Sequence, residues 1–274
     1  MATLARAVRR LSTRDSGPVL DLLDGDPVGN AFLRSELRLG ALTGSGWWGV
    51  EHRGLITAAL LAGALVIPCV PDQEDAELLA GVLDRHSPPR MMVGRREQVH
   101  ALHRARRLAP QPREVRDPQP LMALCRGRLR AEGSPSVRRA RLGDLDLLVV
   151  AAAAMHREEM GIDPLAIDPA GWRARMAVLI DRGWSWVWIE RGEVLFKAEL
   201  SAWTAEVVQV QGVYTAPSAR GRGVATAGLA AVCEALHAEV PTCSLYVNHF
   251  NVAARRVYTR LGFETVGEFA TIIL

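Results

Sequence analysis

The sequence predicts a chain of the mixed α/β (α+β) class built from two similar halves, and three observations point there. Val8-Arg9-Arg10 leads to Asp15 and an apolar run at Val19-Leu20, and Val137-Arg138-Arg139 leads to Asp144 and Leu147-Leu148 with the same internal spacing. The tryptophan-rich stretch Trp47-Trp48-Gly49-Val50-Glu51-His52-Arg53-Gly54 is echoed by Trp186-Val187-Trp188-Ile189-Glu190-Arg191-Gly192. Both echoes occur in one order, strand then capped helix then hairpin, which is the signature of a long-period repeat. Small, turn-forming residues cluster in Ala131-Glu132-Gly133-Ser134-Pro135-Ser136, so the division falls at 1–131, a linker at 132–136, and 137–274.

Elements follow from periodicity. Val137 to Ala140 reads as a short strand, and Asp144 as the N-cap of a helix through Leu147, Val150 and Ala154, closed by Gly161 and Pro164. Trp172, Met176, Leu179 and Ile180 share one helical face, and Gly183 ends that helix. Trp184, Trp186 and Trp188 alternate along a strand as packing residues, Glu190-Arg191-Gly192-Glu193 turns, and Val194 to Leu200 returns. A long strand, Glu206 to Thr215, leads through Pro217 and a glycine-bearing turn to a helix, Ala225 to Ala238. Ser244 to Val247 is a strand, Val252 to Leu261 a helix, and two β-like stretches follow around Val266 and Ile272.

Composition narrows the function. Of 274 residues, 49% are apolar and 23% charged, which excludes disordered and low-complexity classes. Cys69, Cys125, Cys233 and Cys243 have no metal-ligand spacing, so no metal and a reducing, cytoplasmic location are expected. Cys233 reads as a core residue, and His156 and His249 lack a second ligand. The stretch from Met1 to Leu11 has no signal-peptide core behind its arginines. The longest apolar run, Leu55 to Ile67, is too short to span a bilayer, which takes about 20 residues. The net charge is +3, Lys197 is the only lysine, and arginines crowd Arg90 to Arg141. Without interleaved aromatics that basic stretch reads as a solvated face, and no nucleic-acid or membrane partner is expected.

The turn Arg220-Gly221-Arg222-Gly223-Val224-Ala225-Thr226 joins a strand to a helix. Two glycines let the backbone approach a ligand, and the free amides of a helix start favour an anion such as a pyrophosphate. The spacing matches neither the dinucleotide fingerprint nor the Walker pattern. Together with Val213-Tyr214-Thr215 before it, and with Asn251, Ala254, Tyr258 and Leu261-Gly262-Phe263 after it, this turn resembles the GCN5-related N-acetyltransferase (GNAT) family. Arg220, Gly223 and Ala225 fill the defined places of that family's R/Q-x-x-G-x-G/A pattern.

The resemblance implies tandem copies, each a mixed, mostly antiparallel central sheet flanked by helices. It implies acetyl-coenzyme A, or another short acyl-coenzyme A, as the cofactor, and transfer to an amine of a small molecule or protein by direct attack in a ternary complex. The backbone of Val213 and Thr215 would pair with the pantetheine arm beside a bulge at Gly212. The amides of Arg220, Gly221, Arg222, Gly223, Val224, Ala225 and Thr226 would hold the pyrophosphate. Asn251 would contact pantetheine, and Arg255 or Arg256 the nucleotide phosphates. Tyr258 would be the general acid. Glu199 is a candidate base, with Glu206, Glu158 and Glu159 as competitors, because Gln209 and Gln211 stand where a strand carboxylate might be sought. The first half shows no such turn; Met91-Met92-Val93-Gly94-Arg95-Arg96 has one glycine, so this half reads as a degenerate copy. A non-catalytic acyl-coenzyme A sensor or scaffold is the alternative. Acceptor and oligomeric state are not encoded in any readable pattern.

Overall fold

A computed structural model describes residues 5–40, 42, 46–86 and 88–274; Met1 to Leu4 of the amino-terminal stretch lie outside it. The chain divides into two compact units, one of Met1–Met122, Tyr246–Asn251 and Thr265–Leu274, the other of Ala123–Leu245 and Val252–Glu264.

The first unit begins with β1 (Ala7–Arg10), α1 (Ser16–Leu23), α2 (Ala31–Arg38), β2 (Trp47–His52), β3 (Leu55–Leu61) and β4 (Leu65–Cys69). It continues with α3 (Gln73–Asp84), β5 (Met91–Arg95), α4 (Arg96–Ala105) and β6 (Glu114–Cys125). Strands β1 to β4 pair antiparallel in sequence order, and β4 pairs parallel to β5 across the α3 connection. The apolar run Leu55 to Ile67 is therefore β3 and the start of β4. The one-glycine stretch Met91 to Arg95 is strand rather than turn, buried at Met92, Val93 and Gly94, with Met92 in one core cluster and Val93 in the other.

The second unit repeats this order: β7 (Val137–Arg139), α5 (Leu145–Met160), α6 (Pro164–Ile167), α7 (Pro169–Asp181), β8 (Ser185–Glu190), β9 (Glu193–Trp203), β10 (Val207–Thr215), α8 (Val224–His237), β11 (Thr242–Tyr246) and α9 (Val252–Leu261). Strands β7 to β10 are antiparallel neighbours, and β10 runs parallel to β11. The longer α5 and the extra turn α6 absorb the greater length of this half. In each unit the strand pairing is mixed and largely antiparallel, with helices packed on the strands.

The echoes are the same physical device made twice. In the first unit Arg9 donates two hydrogen bonds to Asp15, at 2.8 and 3.1 Å, and in the second Arg138 donates two to Asp144, at 2.7 and 2.9 Å. Each carboxylate also accepts a backbone N–H, from Ser12 and Arg141 respectively, both at 2.7 Å. The arginine thus ties its strand to the helix entry through a bidentate, charge-assisted contact. The next arginine covers a tryptophan of the hairpin, Arg10 over Trp48 at 5.1 Å and Arg139 over Trp186 at 5.2 Å. Both hairpins turn on an Arg-Gly pair with positive φ, Arg53-Gly54 and Arg191-Gly192, the backbone of the tight turn that matches strand twist.

The last strand, β12 (Glu264–Ile273), is continuous, not two stretches, and pairs antiparallel with β5. Phe269, Ala270 and Ile272 enter the cores of the first unit. The sequence division at 131 and 137 assigns these residues to the other half. The echo pattern marks where each repeat begins, and it carries no signal for where its final strand pairs. The linker is docked rather than loose: Gly133 and Ser134 donate N–H groups to Glu234 Oε1 at 2.8 Å and Ala227 O at 3.0 Å, both on α8.

Candidate active site

The second unit opens a gap in its own sheet. The ladder between β10 and β11 covers Val207–Gln209 against Thr242–Ser244, so from Val210 onward no strand among the described residues pairs with that edge of β10. On the other edge the pairing with β9 is interrupted: Gln211 lies opposite Glu199 and Tyr214 opposite Lys197, leaving Gly212 and Val213 against Ala198 alone. This is a bulge, with Gly212 at φ +57° as expected from the sequence. Past it, Ala216 N–H donates to Leu195 O at 3.0 Å. Antiparallel alternation then turns the main-chain groups of Thr215 away from β9, toward the open edge. The Thr215 carbonyl there accepts Arg220 Nε at 3.1 Å.

The turn after β10 is built for a bare backbone. Gly221 and Gly223 adopt φ +73° and +79°, a conformation that costs other residues about 1–2 kcal/mol, and a Cβ at either would meet nothing within 4 Å. The first bond inside α8 runs from Ala227 N–H to Gly223 O, so the N–H groups of Val224, Ala225 and Thr226 precede the helical ladder, and among the described residues the N-cap Gly223 offers them no side-chain cap. Arg220 differs from the expected pattern: its amide donates to Pro217 O at 3.3 Å, because Pro217–Ala219 is a 3-10 turn. Its side chain reaches Glu158 at 2.6 Å and covers Tyr214. Burial and the Glu158 carboxylate raise the Tyr214 phenol. Gly228 holds α8 close over β9, since a Cβ there would lie 2.7 Å from the buried Phe196 ring.

Tyr258 sits on α9, buried, with its ring 6.0 Å from that of Phe263. Burial first, and the charge of Glu159 on α5 second, lift this phenol well above its ordinary range, so it keeps its proton at every physiological pH. Arg255 lies on the exposed face of α9 beside a hollow lined by Val252, Arg256, Thr259 and Arg260. Asn251 belongs by its segment to the first unit, where its amide donates to Asn248 O at 2.9 Å.

Glu199 is not exposed to a substrate. It is 3% accessible, and its Oε1 accepts Lys197 Nζ at 2.6 Å; Lys197 is wholly buried and donates also to Gly212 O at 3.0 Å. Sequence reasoning passed over Lys197, although a sole lysine two residues from a glutamate in an apolar strand was its signal.

Other expectations can be placed. Cys233, fully buried on α8, contacts Cys243 on β11; hydrogen bonds with that thiol and with His237 draw the Cys243 thiol down to about 6, while His237 is raised. His156 packs against Trp172, and His249 contacts Pro118 O. Among the described residues no group of three or more His, Cys, Asp or Glu could hold a metal, and no helix is long and apolar enough to cross a membrane. In the basic stretch, Arg95, Arg96, Arg106, Arg116, Arg138 and Arg139 form ion pairs within their units, so much of its charge is neutralised by the protein itself.

Residues 152–263 match the family model described as the acetyltransferase (GNAT) family, and residues 45–148 match a domain of unknown function, DUF4081. Among solved structures, a GNAT-family acetyltransferase from Colwellia psychrerythraea superposes with a TM-score of 0.61 at 13% identity, covering 98% of this chain and 99% of that one. A GCN5-related N-acetyltransferase from Sphaerobacter thermophilus gives 0.59 at 17% identity over 97% and 94%. A tandem GNAT protein from the clavulanic acid biosynthesis pathway gives 0.60 at 14% identity over 97% and 98%. At such identities the likeness is one of fold. No curated protein sequence matches the chain.

Proposed function

Because residues 152–263 of this chain match the acetyltransferase (GNAT) family model, we propose that the protein moves an acetyl or similar short acyl group from acyl-coenzyme A to an amine, by direct attack within a ternary complex. The observation that carries this reading is the uncapped start of α8 behind two left-handed glycines, beside a strand edge that lacks a neighbour. Acyl-coenzyme A would supply, when bound, a thioester whose acyl carbon is open to attack.

The chain's own residues do the rest. The amides from Gly221 to Thr226 bind the diphosphate, aided by the positive end of the α8 dipole. Val213 and the Thr215 N–H orient the pantetheine amides from the open edge, and Arg255 faces the nucleotide phosphates. Tyr258 holds a proton for the departing sulfur; the burial that keeps the phenol protonated would also raise the basicity of a thiolate formed beside it, which favours the transfer. Glu199 is assigned here to charge neutralisation of Lys197, and loss of the ammonium proton to water near the exposed Glu159, whose charge reaches Tyr258.

A second reading is a non-catalytic acyl-coenzyme A module, and the burial of Glu199 in an ion pair favours it. Titration calorimetry with acetyl-coenzyme A, followed by thiol release across a panel of amines and peptides, separates the two. Binding with amine-dependent thiol release supports transfer, binding without release supports the module, and absence of binding refutes both.

A further inference from the structure

We propose that the outward face of α9, together with the loop 126–130 beside its end, is a docking surface for an acidic polypeptide segment that carries an apolar side chain. The two segments hold six arginines, Arg126, Arg128, Arg130, Arg255, Arg256 and Arg260, and no aspartate or glutamate. Both lie in the second unit, and all six arginines are exposed. The backbone of the loop is fixed: the N–H groups of Arg126, Arg128 and Arg130 donate to Pro241 O, Cys125 O and Leu261 O at 2.8, 3.0 and 3.1 Å. The last of these bonds sets the loop against the end of α9. Gly262, at φ +100°, makes room for it, since a Cβ there would collide with the Arg128 carbonyl.

Arginines elsewhere in the basic stretch are matched by the protein: Arg95, Arg96, Arg106, Arg116, Arg138 and Arg139 each reach a carboxylate. Among the described residues Arg126, Arg128, Arg130, Arg256 and Arg260 make no ion pair. Crowded like charges leave a positive field that a negative partner relieves. The face is also hollowed: Val252, Arg255, Arg256, Thr259 and Arg260 line an open cavity of about 620 Å³, and Val252 is half exposed within it. That mixture selects the partner. A carboxylate meets a guanidinium as a bidentate pair, and an apolar side chain between carboxylates gains by covering Val252. A nucleic-acid backbone brings no such apolar group, and single strands are held by stacking on aromatic rings, which the exposed residues of these segments lack. Arg255 stays with the nucleotide in the reading above, and the docking face does not depend on it.

The test uses the full chain without coenzyme and the fluorescence anisotropy of a labelled glutamate-rich peptide with one leucine per helical turn. The peptide should bind at low salt and weaken as salt rises. The variant Arg128→Gln/Arg130→Gln/Arg260→Gln should lower its affinity about tenfold, within the range of three exposed ion pairs. Acetyl-coenzyme A affinity of that variant should stay within about twofold of the wild type. Arg104→Gln/Arg107→Gln, which removes exposed arginines of the first unit, should leave peptide binding unchanged. Replacing the peptide's leucines by glutamine should weaken binding severalfold through loss of the contact with Val252. A uridine oligomer, an RNA duplex and phosphatidylglycerol vesicles should all bind more weakly than the peptide. The proposal is overturned if the peptide does not bind, if the first-unit variant weakens it as much as the triple variant, if the leucine-free peptide binds equally well, or if RNA or vesicles bind at least as tightly. A triple variant that loses coenzyme affinity in parallel would assign the face to the nucleotide and overturn it too. Because the peptide titrations contain no coenzyme, failure of the acyl-coenzyme A reading would leave their outcome unchanged.

Discussion

The two repeats share a scaffold and diverge at one corner. Both begin with an arginine clamped to a helix-entry aspartate, a second arginine over a hairpin tryptophan, and an Arg-Gly turn. They part where the fourth strand meets the next helix. In the second unit that helix begins at Gly223, an N-cap without a side-chain hydrogen bond. In the first, Asp72 occupies the N-cap and its carboxylate accepts Glu74 N–H at 2.8 Å, with Glu74 and Asp75 adding acid to the first turn and Arg6 pairing with all three. An anion arriving there would meet the protein's own anions. The strand gap is closed as well: Val70 N–H donates to Gln98 Oε1 at 3.0 Å, and Pro68 lies within ordinary contact of the space beside Gly94. The two units keep the same clamps, whereas ligand capacity depends on a handful of positions around one turn.

That contrast can be broken, and the largest effect should come from β12. Ile272→Ala removes a buried side chain from the core of the first unit and should cost about 2–5 kcal/mol. Chemical denaturation followed at Trp47 and Trp48 would read it; a change below about 1 kcal/mol would deny β12 its structural share. Next, Gly223→Glu imports into the second unit the obstruction found in the first. It should weaken acetyl-coenzyme A binding by at least 100-fold, about 2.7 kcal/mol, in calorimetry. The stoichiometry of the unmodified protein should be one coenzyme per chain, and two would show that the first unit binds after all.

Tyr258→Phe should lower kcat by about 100-fold with coenzyme affinity within twofold, and equal loss of both would remove the phenol from the chemistry. In the first unit, Asp72→Ala should cost about 1 kcal/mol of stability as a lost cap, without creating a second coenzyme site. The smallest effect concerns the clamps. Asp15 and Asp144 are both lowered, each first by hydrogen bonds from its arginine. A depressed carboxylate stabilises the fold above its unfolded pKa near 4, and that contribution is lost as pH falls through the lower folded value. Asp144→Asn should therefore flatten the acid limb of a stability-against-pH curve while costing under about 1 kcal/mol at neutral pH.

Much of this was legible beforehand. Alternation and glycine placement give the hairpins and the turn at Arg220–Thr226, because those signals are local. The Val-Arg-Arg and Asp spacing exposes the repeat because the contact it makes is short in sequence. What escaped was set by distance. Nothing near Glu199 in the sequence says that the bulge fifteen residues on will present a carbonyl to Lys197. The absence of a glycine pair in the first half suggests a lost cradle, but the Asp72 cap and the Gln98 plug are seen only once strand and helix ends are brought together. Pairing of β12 with β5 joins residues far apart in the chain, beyond the reach of any periodicity.

The position of β12 bears on biosynthesis. While a ribosome is still making residues 264–273, the earlier unit has β5 without its antiparallel neighbour and a core lacking Phe269 and Ile272. Its completion therefore waits until residues 264–273 have been made, and the half translated first is not the half free to mature first.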